Sequence, residues 1–396
     1  MRGWEMSESL RNLSTIEYGA SPKEIRASDY TDIGIYGTGG LVGSATKPLF
    51  HGPLVVVAKK GTLDKPLFII GDCWVIDTAY AVLPNANVDA KWLYYNLLKY
   101  DLKKLNESTG VPSISRDYLY RVTFETFPLP EQRKIARILS TVDAVIEKTE
   151  AAIAKYKVIK SGMMRDLFTR GIDLKTGKLR PRYEDAPELY KQSELGWVPE
   201  EWEVEILEEM AEITTGSTPP TSNTWNYGDD YMFVSPSDIN ENQFIQSTEK
   251  MLSIAGFLLC RKLPAKSICV VCIGSTIGKM AFTVRECATN QQINAVVPRN
   301  TNLTDFLYYA MLFYNGEQFR KETGLQAVPI VNKSNFSKFL LPLVEENEAI
   351  SIAKKLFAID IQLQTEFANT HKYQQLKFAL MSDLLTGKVR VKVSEP

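Results

Sequence analysis

The chain has 396 residues, is 44% hydrophobic and 23% charged, and carries a formal net charge of −1. That is the make-up of a globular protein with room for two or three domains, and no apolar run approaches the ~18 residues a membrane span needs, so no membrane association is expected. Near-neutral charge does not by itself point to nucleic acid, and five scattered cysteines suit a reducing cytoplasm better than a disulfide framework.

The start, Met1-Arg2-Gly3-Trp4-Glu5, lacks the apolar core of a signal peptide. Residues 9–17 read as a helix. Strand-like runs follow at 53–58 and 67–70, punctuated by Gly37-Thr38-Gly39-Gly40 and by Gly61, and a helix is expected over 90–105. Residues 1–127 therefore form a first mixed domain. Pro128-Leu129-Pro130 is a helix entry, with Glu131 in the first turn where it suits the helix dipole. From there the apolar positions step by three and four: Ile135, Ile138, Val142, Val145, Thr149, Ala152, Tyr156, Ile159 and Met163. This is a heptad seam on one long helix, 128–170, whose 39 residues from Glu131 to Thr169 would span about 58 Å at 1.5 Å per residue, closed by Gly171. Residues 171–196 read as an irregular linker. A second mixed domain, 197–341, has a strand over 267–273 and a helix over 304–323. A second long helix, 342–388, carries the seam Ile352, Leu356, Ile359, Leu363, Phe367, Tyr373, Leu376, Leu380 and Leu384, is closed by Gly387, and leaves a tail, 389–396.

The second half repeats the first. Lys65-Pro66-Leu67-Phe68 returns 214 residues on as Lys279-Met280-Ala281-Phe282, Cys73 as Cys287, Leu93-Tyr94-Tyr95 as Leu307-Tyr308-Tyr309 and Gly110 as Gly324. Along the helices the offset is 217: Ile135 becomes Ile352, Asp143 becomes Asp360 and Tyr156 becomes Tyr373, which places a three-residue difference at the second helix entry, Pro342-Leu343-Val344-Glu345. The second domain is inserted between the end of one helix and the start of the other. Because domain termini lie close together, the helices are expected to pack antiparallel. The fold class is thus α+β: two mixed α/β domains, two long antiparallel coiled-coil helices and a pseudo-two-fold internal repeat. Charge is unevenly spread, with 13 Lys and Arg against 6 acidic residues over 128–182, then one Lys against 11 acidic residues over 183–212.

No phosphate-loop, nucleophile-elbow or H-E-x-x-H pattern is present, and His51 and His371 have no metal-ligand spacing. Cys269-Val270-Val271-Cys272 sits in a β-branched run, where residues three apart face opposite sides of a strand, so a shared metal is not expected. Polar loops are the candidates for function. Tyr36, Thr38 and Gly39 lie in the Gly-rich turn. Lys59, Lys60 and Thr62 follow a strand, with 274–279 (Ser275, Thr276, Lys279) as their counterpart. Asn290, Gln291 and Gln292 form an amide-dense loop. Ser113, Ser115 and Arg116 match Asn332 and Lys333 ahead of each long helix. Amides pair with adenine, bases with guanine or phosphate, and small hydroxyls with phosphate.

Pro128-Leu129-Pro130-Glu131-Gln132-Arg133-Lys134-Ile135-Ala136, with Met164-Arg165-Asp166-Leu167 and Met381-Ser382-Asp383-Leu384 at the helix ends, resembles the conserved regions of type I restriction–modification specificity (S) subunits. Ala288-Thr289-Asn290-Gln291-Gln292-Ile293-Asn294 and Ile35-Tyr36-Gly37-Thr38-Gly39-Gly40 are similar to target-recognition-domain motifs of that family. The resemblance covers essentially the whole chain. It implies a non-catalytic subunit without a cofactor of its own. Each recognition domain would read one half of a bipartite double-stranded DNA site. The helices would set the gap, through a seam that includes Ile135, Val142, Tyr156, Ile159, Met163, Ile352, Ile359, Tyr373 and Leu380. They would also dock two methyltransferase (M) subunits, with restriction (R) subunits completing the complex; S-adenosylmethionine and ATP belong to those partners. A homodimer in the absence of M subunits is left open. The rival readings are a coiled-coil protein–protein scaffold without DNA and a hydrolase with Cys287 as nucleophile.

Overall fold

The computed structural model describes residues 6–240 and 242–393. The start of the chain, Met1-Arg2-Gly3-Trp4-Glu5, and the last three residues of the tail, 394–396, lie outside them. The chain divides into two compact units, residues 1–151 with 368–396, and residues 152–367. The division cuts both long helices in their middle rather than at their ends.

In the first unit, an antiparallel sheet has the order Ser14–Tyr18, Ala79–Pro84, Leu54–Ala58, Leu67–Ile69. A second, mixed sheet has the order Gly40–Ser44, Gly34–Gly37, Asp72–Val75, Phe50–His51. The first sheet packs on the helix Ala90–Lys99, burying Val55, Val57, Tyr80, Trp92 and Leu93 in a core that also takes Ile135 and Leu139 from one long helix and Met381 and Leu384 from the other. The second unit has a five-stranded sheet, Ala211–Thr215, Ile293–Pro298, Ile268–Val271, Met280–Thr283, Phe244–Ile245, and a three-stranded one, Lys250–Leu252, Tyr227–Val234, Cys287–Thr289. Its helix Thr304–Thr323 joins Val270, Phe282, Phe306, Leu167, Phe168, Ile352 and Leu356 in one core. The repeat extends to register: Ile16 faces Val82 as Ile213 faces Val296, and Val55 faces Val82 as Ile268 faces Val296.

Several local expectations are corrected. Only Leu10–Leu13 of the expected helix over 9–17 is helical; Ser14–Tyr18 is a strand, with its alternate residues Ser14 and Ile16 buried. β-branched Thr15 and Ile16 fit that pleated surface better than a helix. The helix expected over 90–105 stops at Lys99, breaks at Tyr100, whose backbone is extended, and resumes as a 3-10 turn, Leu102–Leu105. The stretch read as an irregular linker forms two short hairpins, Ile172–Asp173 with Lys178–Leu179 and Tyr190–Ser193 with Gly196–Pro199.

The long helices are Leu129–Arg170 and Glu346–Leu384, so their first residues are also 217 apart. The three-residue difference therefore does not lie at the helix entry. Leu340–Leu343, with Pro342, is a strand paired to Glu203–Ile206, as Thr123–Thr126 is to Met6–Ser9. The extra residues are Leu325, Gln326 and Ala327, between the matched pairs Gly110/Gly324 and Val111/Val328.

Along the first helix Ile135, Leu139, Thr149 and Ile153 are buried, whereas of the expected seam positions Ile138, Ala152 and Ile159 are half-buried and Val145 is exposed. In the second helix Phe367 and Leu376 face solvent, and the seam passes instead through Asp360 and Lys377. Both registers satisfy a three-four repeat, and polar residues at seam positions hide the true one from an apolar count.

Those polar seam residues form a repeated triad. In the first unit, Asp143 Oδ1 receives Lys377 Nζ at 2.6 Å and Oδ2 receives the Tyr95 hydroxyl at 2.6 Å. In the second, Asp360 receives Lys160 at 2.6 Å and the Tyr309 hydroxyl at 2.6 Å. Each Tyr comes from the domain helix, each Asp from one long helix and each Lys from the other. At the helix starts, Glu131 takes Arg390 at 2.7 Å and its repeat Glu348 takes Arg180 at 2.5 Å. Within each unit these pairings run in opposite chain directions, so the helix segments are antiparallel.

Candidate nucleic-acid interface

In the first unit the expected residues are brought together by one loop. Gly61 adopts φ +95°, a conformation glycine takes without strain, and turns the chain after Leu54–Ala58. Its N–H donates to the Pro112 carbonyl at 2.8 Å, while the Lys59 carbonyl accepts from Ile114 N–H at 3.0 Å. This two-bond clamp sets Ser113, Ser115 and Arg116 beside Lys59 and Lys60. Thr38 joins them, its Oγ1 lying 3.5 Å from where a Cβ on Gly61 would stand.

The Lys59 ammonium and the Arg116 guanidinium both lie over the ring of Tyr18, at 5.1 and 4.7 Å. Tyr18 is 48% exposed and leans on buried Tyr80 at 5.3 Å. Burial pushes the Tyr80 hydroxyl up to about 12, and it donates to the Ile114 carbonyl at 3.1 Å. The result is an aromatic face flanked by two cations, a combination suited to phosphate and base or sugar contact. Tyr18 was not singled out from the sequence; the available signal was its place at the end of an edge strand, opposite Tyr80.

Other expected residues have structural tasks. Tyr36 packs on the cluster of Leu54, Val56 and Val75, and burial raises its hydroxyl pKa. Gly39 is exposed in its turn and Thr62 in its loop. Ser115 caps the short helix Arg116–Tyr120 by accepting from Tyr118 N–H at 3.4 Å.

The second unit builds the same clamp. Gly274, at φ +101°, donates to the Pro329 carbonyl at 2.9 Å, and the Cys272 carbonyl accepts from Val331 N–H at 2.9 Å. Gly274 is thus the counterpart of Gly61, and the places of Lys59 and Lys60 are taken by Cys272 and Ile273. The match of the lysines to Ser275, Thr276 and Lys279 is corrected accordingly. Ser275 and Lys279 are exposed in the turn beyond. In the amide loop, Asn290 Oδ1 accepts from Gln292 N–H and its Nδ2 donates to Gln292 Oε1, both at 3.1 Å. Gln291 Oε1 accepts from the Thr218 hydroxyl at 2.6 Å. Asn332 caps Lys333–Phe336 by accepting from Asn335 N–H at 2.8 Å, the counterpart of Ser115, which leaves Lys333 in the place of Arg116. Much of the amide capacity therefore shapes turns. Arg261, another residue not singled out, donates to the Thr215 carbonyl at 2.7 Å, at the strand end equivalent to Tyr18.

Cys269 and Cys272 belong to different core clusters on opposite faces of their strand. Among the described residues no group of three or more His, Cys, Asp or Glu side chains is placed to hold a metal. Cys73 and Cys287 are fully buried, and burial pushes the Cys73 thiol up to about 11, which leaves it a poor nucleophile. Among the described residues no helix is long and apolar enough to cross a membrane.

A family model described as the type I restriction modification DNA specificity domain matches residues 1–155 and 199–377. The chain is 31% identical over 196 residues to the type I restriction enzyme HindI specificity subunit of Haemophilus influenzae, covering 48% of this chain and 42% of that one. It is 25% identical over 325 residues to the putative MjaX specificity subunit of Methanocaldococcus jannaschii, covering 78% and 70%. The match thus spans less than half of the Haemophilus relative. The crystal structure of a type I system S subunit from M. genitalium superposes with a TM-score of 0.67 over 96% of both chains at 14% identity, which establishes a shared fold.

Proposed function

We propose a function from one premise: the chain belongs to the type I restriction–modification DNA specificity family. On that premise it is the sequence-reading subunit of a type I complex. Each unit contacts one half of a bipartite double-stranded DNA site, the long helices set the gap and dock two methyltransferase subunits, and restriction subunits join in the full complex. S-adenosylmethionine and ATP chemistry belongs to those partners, and the complex works in the cytoplasm. The observation that carries the reading is the clamp built twice, which in one unit sets Ser113 and Arg116 beside Lys59 and Lys60, with Lys59 and Arg116 over the Tyr18 ring, and in the other leaves Lys333 in the place of Arg116. Phosphate contacts from the cations would position the protein, and the polar side chains between them would read base edges.

The test is to sequence the methylated sites in a host carrying the system, then to footprint the chain with its M subunits on that duplex. Two protected half-sites separated by a fixed gap are expected. One contiguous protected site, or none, would sink the bipartite reading. A scaffold without DNA would give complex formation and no protection.

A further inference from the structure

The clamp has a second product. In both units the residue before the clamped proline is a valine held out into solvent: Val111 is 66% exposed and Val328 is 59% exposed. A β-branched residue before proline is restricted to an extended backbone, so its side chain is stiff and its direction set. Around Val111 the loop is braced from inside. Asn106 Oδ1 accepts from Ser108 N–H at 3.1 Å and from Ser113 N–H at 2.9 Å, and Ser108 Oγ accepts from Gly110 N–H at 3.2 Å. The valine is therefore presented by a built loop.

A single exposed valine means little. Here the same residue recurs at the same point of the clamp, although the flanking positions have changed from Lys59-Lys60 to Cys272-Ile273. The three residues by which the two copies differ in length, Leu325, Gln326 and Ala327, fall in the same loop, and they leave Leu325 wholly exposed. An apolar tip, set in the first unit beside Lys59, Lys60 and Ser113 and varied in length between the copies, fits a surface that is anionic at its rim and locally apolar within. The thymine 5-methyl group in the DNA major groove has that character.

We propose that Val111 and Val328 are base-contact residues, each taking the methyl group of one thymine in the half-site of its unit. This rests on the specificity-subunit reading. The experiment uses the full chain with its M subunits and the duplex identified by methylation sequencing, with each thymine replaced in turn by uracil, which lacks only the methyl. The expected result is one thymine in each half-site where uracil weakens binding by about fourfold, the worth of one buried methyl. That sensitivity disappears in V111A at the first half-site and in V328A at the second. The inference is overturned if either variant keeps the full uracil effect, if either half-site lacks a sensitive thymine, or if V111A or V328A weakens binding equally on every sequence, which would make the contact one to sugar or phosphate. Failure of the underlying reading looks different: the wild-type complex would then discriminate no duplex from any other. Both variants change exposed side chains, and unchanged urea midpoints will establish that the fold is intact.

Discussion

Asp360 should be the costliest polar residue to remove from the helix seam. Its carboxylate is 9% exposed and is held by Lys160, 19% exposed, and by the hydroxyl of Tyr309, a fully buried residue. Asp360→Ala leaves the largely buried Lys160 ammonium without its counter-charge, a loss of up to about 3 kcal/mol, the low end for buried pairs because Lys160 keeps some contact with solvent. The Tyr309 hydroxyl retains Gln243 Nε2 at 3.2 Å, so its share adds only about 1 kcal/mol. Removing both charges together, as Lys160→Met and Asp360→Leu, with Tyr309→Phe, removes the desolvation cost with the attraction, while Gln243 Nε2 loses its acceptor at a cost of about 1 kcal/mol. That variant should lie within about 2 kcal/mol of wild type, on either side. In the first unit Asp143 and Lys377 are each 21% exposed, so Asp143→Ala should cost less than its counterpart. The assay is equilibrium urea unfolding of each variant at pH 7. A loss below about 1 kcal/mol for Asp360→Ala, or a triple variant as unstable as the single one, would refute the reasoning that pairing rather than packing sustains this layer.

Three further outcomes follow from the structure. A Cβ at Gly19 would run into the Ile76 carbonyl oxygen, and one at the repeated Gly216 into the Asn290 carbonyl oxygen, so either Gly→Ala change should destabilise by about 2 kcal/mol or more in the same unfolding assay. Burial raises the hydroxyl pKa of Tyr80 to about 12 and those of Tyr95 and Tyr309 further. An unfolded tyrosine ionises near pH ~10, so above that pH the folded state holds more protons and stability falls as pH rises; Tyr80→Phe should remove a share on the order of 2 kcal/mol from the loss between pH ~10 and ~12. Replacing Lys59 or Arg116 by Ala should lower the slope of log K against log salt by about 1 in fluorescence anisotropy titrations with DNA, and a slope unchanged in both variants would remove them from the phosphate contacts.

The sequence by itself carried the duplication and the two long helices, which rest on local periodicity and on repeated residues, and their expected antiparallel course, which rests on a domain inserted between them with its termini close together. Motifs such as Pro128-Leu129-Pro130-Glu131 and Thr289-Asn290-Gln291-Gln292 were enough to suggest the family. Pairing decided the rest. The strand at Ser14–Tyr18 exists because Ala79–Pro84 lies beside it. The heptad register turns on Asp360 and Lys377, polar residues that an apolar count passes over and that only their partners on the other helix justify. At the interface, residue types in the loops were visible, but Tyr18 and Arg261 gain their meaning from strand ends brought close by the fold. The three-residue difference could be counted in the sequence, yet its place could not. The repeated hydrogen bonds of the Pro112 and Pro329 carbonyls put it in the loop at Leu325, because they mark the residues that stand in equivalent positions.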